Sequence, residues 1–152
     1  MRAFYQLLTT IKDLLKEDKF CNTVTTGDIL SIDLNKKTIF PLSHIIVNQA
    51  TLSSRVWTFD VSVLSMDLVD ISKELVTDLF VGNDNEQDVM NTQLAVQNRF
   101  LEVLKKRSDA SLYEIGDSTH EPFNERFENN LSGWSCTFSV TIPNEMINCE
   151  LS

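Results

Sequence analysis

One stretch of this chain leaves little freedom in how it can fold. Trp134, Cys136, Phe138, Val140 and Ile142 alternate without a break with Ser135, Thr137, Ser139 and Thr141, and Pro143 closes the run. Strict alternation puts the apolar set on one face of a strand and the polar set on the other. A second run, Arg55 to Met66, repeats the pattern. Trp57, Phe59, Val61 and Val63 share one face, and Thr58, Asp60 and Ser62 share the other. The extended run Leu42 to Val47 precedes it and is expected to form an antiparallel hairpin with it. Strands of this kind need a cover over their apolar side.

Two segments at helical period can supply that cover. Phe4, Leu7, Leu8, Ile11, Leu14 and Leu15 form a single stripe, which predicts an amphipathic helix over roughly 2–18. A second helix is predicted over roughly 86–107. Val89, Met90, Leu94, Val96, Phe100, Leu101, Val103 and Leu104 make its apolar face. Asp84 or Asn85 suits its N-cap, and Lys105, Lys106 and Arg107 suit its C-terminal end, where the macrodipole favours cations. A face that broad is expected to press against a sheet.

The remaining segments are weaker. Asn22 to Thr26 reads as a short strand and Gly27-Asp28 as a turn. An apolar run through Ile29 and Leu34 then reaches a polar turn at Asn35-Lys36-Lys37, and Pro41 marks an edge or a bend. Leu112 to Ile115 suggests another short strand. Segment 67–88 is acidic and irregular, and 116–132 reads as a polar loop anchored by Phe123 and Phe127. The expected architecture is α+β: one domain over 1–152, a mostly antiparallel sheet with the two main helices packed on one face. The expected core joins Leu7, Leu8, Ile11 and Leu15 to Phe100, Leu101 and Leu104 over Trp57, Phe59, Val61, Trp134, Phe138 and Val140.

Composition agrees with one globular domain: 152 residues, 42% apolar and 23% charged. Thirteen Lys and Arg against 22 Asp and Glu leave a net charge of −9, without the basic footprint of a nucleic-acid binder. No stretch approaches the roughly 20 apolar residues of a membrane span. Lys12, Asp13, Lys16, Glu17 and Asp18 interrupt the N-terminal apolar stretch, so it does not read as a signal peptide. The protein is expected to stay in the cell that makes it. Cys21, Cys136 and Cys149 are odd in number and widely spaced, which suits free thiols rather than a disulfide framework or a metal site.

Chemistry-bearing patterns are few. His44 lies in the apolar run LSHIIV and reads as a core or sheet-face histidine, whereas His120 lies in a polar segment beside Glu121. A Cys–His nucleophile would need Cys136 beside one of them, yet Cys136 falls on an apolar strand face, where an inert thiol is expected. Gly82 to Asp88 has the look of a calcium loop, but counting from Asp84 puts Val89 where glycine is needed and Ala95 where a bidentate Glu is needed. It reads as a turn and helix cap. No carboxylate pair, phosphate loop or ligand set has the spacing that catalysis needs, so the sequence points away from an enzyme and implies no cofactor and no metal.

The order of elements is itself a pattern. An amphipathic helix leads into VTTGDILSIDLNKKTIFPLSHI and the alternating RVWTFDVSVLSMDLVD. An Asn/Asp-rich break and the helix NDNEQDVMNTQLAVQNRFLEVL follow, and the chain closes on NNLSGWSCTFSVTIPN. In this order, and in Gly133-Trp134 ahead of the final strand, the chain resembles the tail-terminator, tail-completion and neck-ring proteins of tailed bacteriophages, especially those of Bacteroidetes (crAss-like) phages. The resemblance implies a virion structural protein, assembled in the host cytoplasm into a six- or twelve-fold cyclic homo-oligomer. Its partners would be other portal, neck or tail proteins, and DNA would pass through the lumen without sequence-specific binding. An acidic lumen would suit that passage, because like charges do not adhere.

For a ring, segments 67–88 and 116–132 are the expected inter-subunit contacts. Phe80 and Phe123 would supply apolar contact, and Asp84 and Glu86 would face Lys36, Lys37 or Arg126. The alternative is a small cytoplasmic adaptor that uses its acidic segment to hold a basic partner. A third reading is a hydrolase built on Cys136 and His120.

Overall fold

The computed structural model describes residues 2–27, 39–69, 86–109, 114–126 and 131–143. In chain order the elements are α1 (Arg2–Lys16), β1 (Thr23–Thr26), β2 (Leu42–Ser53), β3 (Val56–Leu68), α2 (Glu86–Asp109), β4 (Glu114–Ile115), β5 (Thr119–Arg126) and β6 (Leu131–Pro143). The architecture is α+β, with two helices and a six-stranded, mostly antiparallel sheet. The strands run β1-β2-β3-β6, and β4 and β5 follow one another along the outer edge of β6. Among the described residues only the short β1–β2 pair is parallel.

The two strands with the strictest alternation lie side by side at the centre. β3 pairs β6 from Val56↔Pro143 to Leu68↔Leu131. β2 and β3 form the expected hairpin, closed at Ser54-Arg55, with Ser54 in the left-handed region at φ 39°. The apolar face takes the helices, as expected. Leu7, Ile11, Leu14 and Leu15 of α1 and Val96, Phe100, Leu101 and Leu104 of α2 bury against Ile45, Phe59, Val61, Val63, Phe138 and Val140. Phe100 meets Phe138 edge-on at 5.8 Å, and Phe4 lies 5.2 Å from Phe59. Trp134, expected in this core, is half-buried at its margin and donates from Nε1 to the Met90 carbonyl at 2.8 Å.

The helix over the sheet is narrower in its apolar contact than its sequence suggests. Leu94 and Val103 are exposed, while Gln93 and Gln97 are buried in their place. The face that meets the sheet runs through Val89, Gln93, Val96, Gln97, Phe100 and Leu104, and of the two glutamines it is Gln97 whose amide donates to sheet carbonyls.

The other face of the sheet is not wholly polar. Leu42, Met66, Gly133 and Phe123 occupy one cross-strand row of β2, β3, β6 and β5. With Phe40 and Leu131 they form a second apolar cluster. The row closes over Gly133 because any Cβ there would overlap the Ser65 carbonyl oxygen. Beyond this cluster the face is polar and cross-linked: Asn48 donates to Ser62 Oγ at 2.7 Å, and Ser62 and Thr137 share a hydrogen bond of 2.9 Å.

Two expectations change here. Segment 116–132 is not a loop throughout, because β5 occupies 119–126 and β6 begins at Leu131. Phe123 does not face a neighbour: it is 5% exposed and sits in the second cluster, where its ring is removed from water. Both follow from the pairing of β5 with β6, which sets Phe123 opposite Gly133 on the face of the second cluster.

Candidate functional site

A connected polar arrangement on the helix-covered face lies where β4 gives way to β5. The Gly116 N–H donates to the Ser139 carbonyl at 2.9 Å, drawing the chain tight against β6. A side chain at Gly116 would run into Ser139 Oγ. The ladder lapses over 116–118 and resumes at Thr119↔Thr137 and His120↔Cys136. His120 therefore shares the face of Cys136, beneath α2.

Gln97 descends from α2 to meet it. A buried amide needs partners for all its polar atoms. Gln97 Nε2 donates to the Val63 carbonyl at 3.0 Å and the Trp134 carbonyl at 2.7 Å. Both N–H groups being spent on carbonyls, the other end must be the oxygen, and Oε1 faces His120 Nδ1 at 2.8 Å. An oxygen can only accept, so Nδ1 carries the proton. That leaves Nε2 as a bare acceptor, and Ser118 Oγ stands 3.0 Å from it and donates. The sheet carbonyls thus set the orientation of the amide, the amide sets the tautomer of the imidazole, and the imidazole polarises the serine hydroxyl.

Electrostatics keep the ring neutral. Burial, and then the nearby Lys105 ammonium, lower the His120 pKa from its ordinary 6.5. A groove of about 460 Å³ opens over these groups between α2 and the β4–β5 junction, with Asn91, Leu94, Asn98, Lys105, Ser118 and His120 in its walls.

The sequence-predicted pair Cys136 and His120 does come together, as cross-strand partners. It is not a nucleophile and its base. Both ring nitrogens of His120 are turned to Gln97 and Ser118, and burial pushes the Cys136 thiol up to about 12, with Lys105 only partly opposing. Cys136 is a buried thiol, as its place in the alternation suggests. Cys21 is likewise buried, and burial raises its pKa despite a 3.5 Å hydrogen bond to Ser43. His44 is structural: its ring bridges Thr25 Oγ1 at 2.7 Å and the Gly27 carbonyl at 2.8 Å, tying β1 to β2. Among the described residues no three His, Cys, Asp or Glu side chains gather to hold a metal, and no helix is long and apolar enough to cross a membrane.

Of the residues expected at a subunit contact, Lys36, Lys37, Phe80 and Asp84 lie outside the described residues. Glu86 opens α2, Arg126 closes β5, and Phe123 is interior. Exposed apolar side chains lie elsewhere, the two most exposed being Tyr5 on α1 and Leu52 at the far end of the β2–β3 hairpin. Residues 48–55 are all exposed there, and Leu52 is 55% exposed beside its cross-strand partner Trp57. Trp57 stacks on Phe59, Phe59 meets Phe4, and Phe4 meets Tyr5, which is 70% exposed. No sequence pattern singles out this patch, since Tyr5 lies off the apolar stripe of its helix and Leu52 lies beyond the run Leu42 to Val47.

No protein-family model matches the chain, and no curated protein matches it significantly.

Proposed function

We propose that this chain is the subunit of a ring at the portal–tail junction of a tailed bacteriophage, a neck or tail-terminator protein of the virion. The observation that carries the reading is the hairpin-end patch. Leu52, at the end of the β2–β3 hairpin, and Tyr5, on α1, stand in solvent beside the partly buried Trp57 and Phe4. Contiguous exposed apolar surface of this kind marks a protein contact. The order of elements supports the same reading, because it is the order on which the resemblance to these ring proteins rests. In a cyclic ring one patch meets a different patch on the next subunit. The hairpin end supplies one side, and the outer edge of β4 and β5, which pairs with no further strand among the described residues, suits the other, since an edge strand offers unpaired N–H and C=O groups. The net charge of −9 lets DNA pass through the lumen without adhering.

Sedimentation velocity of the purified chain tests this, alone and with Leu52→Asp. A six- or twelve-fold closed species that the substitution reduces to folded monomer supports the ring. A wild-type chain that stays monomeric at every concentration and co-purifies with a soluble basic protein favours the adaptor reading instead.

A further inference from the structure

The arrangement of Ser118, His120 and Gln97 has the parts of an activated hydroxyl. A nucleophile and a base stand within hydrogen-bond reach, and a third group orients the base. Here the orientation is unusually well determined, since the Gln97 amide is held at both N–H groups by sheet carbonyls and can present only oxygen to Nδ1. The hydroxyl also faces space. Ser118 and His120 line the groove of about 460 Å³, within the range of about 300–1,000 Å³ typical of small-molecule sites. Leu94 and Leu101 give that groove an apolar wall, and Asn91, Asn98, Glu102 and Lys105 make the rest of its lining polar.

We propose that Ser118 is a reactive nucleophile, with His120 as its general base and Gln97 as the positioning residue, directed at small acyl esters held in the groove beside α2. In the first step Ser118 Oγ bonds to the ester carbonyl carbon while its proton passes to His120 Nε2 and the carbonyl π pair moves onto oxygen. The adduct collapses, the C–O bond to the alcohol breaks, and the alcohol leaves with the proton from His120. Water then adds to the acyl-serine in the same way, and the carboxylic acid departs as Ser118 regains its proton. This activity is independent of ring assembly: either could hold without the other.

The test is labelling of the full chain with an alkyl fluorophosphonate, mapped by peptide mass spectrometry, alongside hydrolysis of p-nitrophenyl acetate. The expected result is one phosphonyl group, on Ser118, with none on Ser118→Ala. His120→Gln should slow labelling by about 10²–10⁴-fold, the usual contribution of a positioned base. The labelling rate should rise with pH through one ionisation below 6.5, the ordinary histidine value. Gln97→Leu should change that pH profile, whereas a merely structural glutamine would change stability alone. Folded wild-type protein that takes no label overturns the proposal. So does label spread over several serines, or labelling of Ser118 that His120→Gln leaves unchanged.

Discussion

At Gly133 a hydrogen stands where any other residue would drive a carbon into the Ser65 carbonyl oxygen and against Met66 Cα. The obstruction is backbone, which cannot swing aside, and Gly133 is not in the left-handed region, so crowding alone excludes a side chain. Gly133→Ala is expected to cost about 3 kcal/mol, the upper part of the usual overpacking range, measured by urea unfolding. Phe138→Ala should cost about 3–5 kcal/mol, because the ring is buried against Phe100 and leaves a cavity; a cost near zero would mean the ring is not in the core. His120 gives a pH dependence of definite sign. Its folded pKa lies below the unfolded 6.5, so the unfolded chain binds the proton more readily. The stability it contributes is present above 6.5 and is lost as pH falls below that value towards the folded pKa. Melting temperature should therefore decline between about pH 8 and about pH 5, and less so in His120→Gln. Gln97, on which this site depends, was not legible in the sequence. A glutamine on an apolar helix face reads as an outlier unless the carbonyls beneath it are known.

The elements divide by how regular their surroundings are. β3 and β6 could be read directly because each is central, with one face apolar from Trp57 to Val63 and from Trp134 to Ile142. β5 could not. It is an edge strand whose register shifts between Phe123 and Arg126. Its helix-side residues, His120 and Pro122, are not apolar anchors, and Phe123 turns to the opposite face. With its alternation lost, the segment looks like a loop. Ser118 is not legible either, because it lies in the break between β4 and β5, where no periodicity says which way a side chain turns. Also in the middle of α2, Arg99 clasps Asp18 at 2.7 and 3.0 Å and lies over the Phe20 ring, joining α2 to the segment that follows α1. Burial works to raise the Asp18 pKa, but hydrogen bonds from Arg99 and the Phe20 N–H, with the charges of Arg99 and Lys19, outweigh it and hold the carboxyl below its usual value. Arg99 is nearly half exposed, so solvent screens the pair. Asp18→Asn should lower stability by about 1 kcal/mol or less, by chemical denaturation. A much larger loss would mean that the clasp, and not the core, joins the two helices.

For the whole molecule, the sheet and its helix cover were legible because burial imposes periodicity, and the contact surface was not because exposure imposes none. The acidic and basic residues expected at the contact mark charge alone, and partly exposed ion pairs contribute only about 0–1 kcal/mol each. Apolar area must carry an assembly, and the structure puts that area at Leu52 and Tyr5 rather than at Phe123. Phe123→Asp should accordingly unfold the subunit instead of merely dissociating it, whereas Tyr5→Asp should leave the fold intact, two outcomes that circular dichroism separates. Native mass spectrometry of the full chain, wild type beside Leu52→Asp, addresses the central claim most directly. The account predicts a closed ring of six or twelve subunits for the wild type and a folded monomer for the variant. A wild type that is monomeric under all conditions, or a variant that still closes into the same ring, would contradict it.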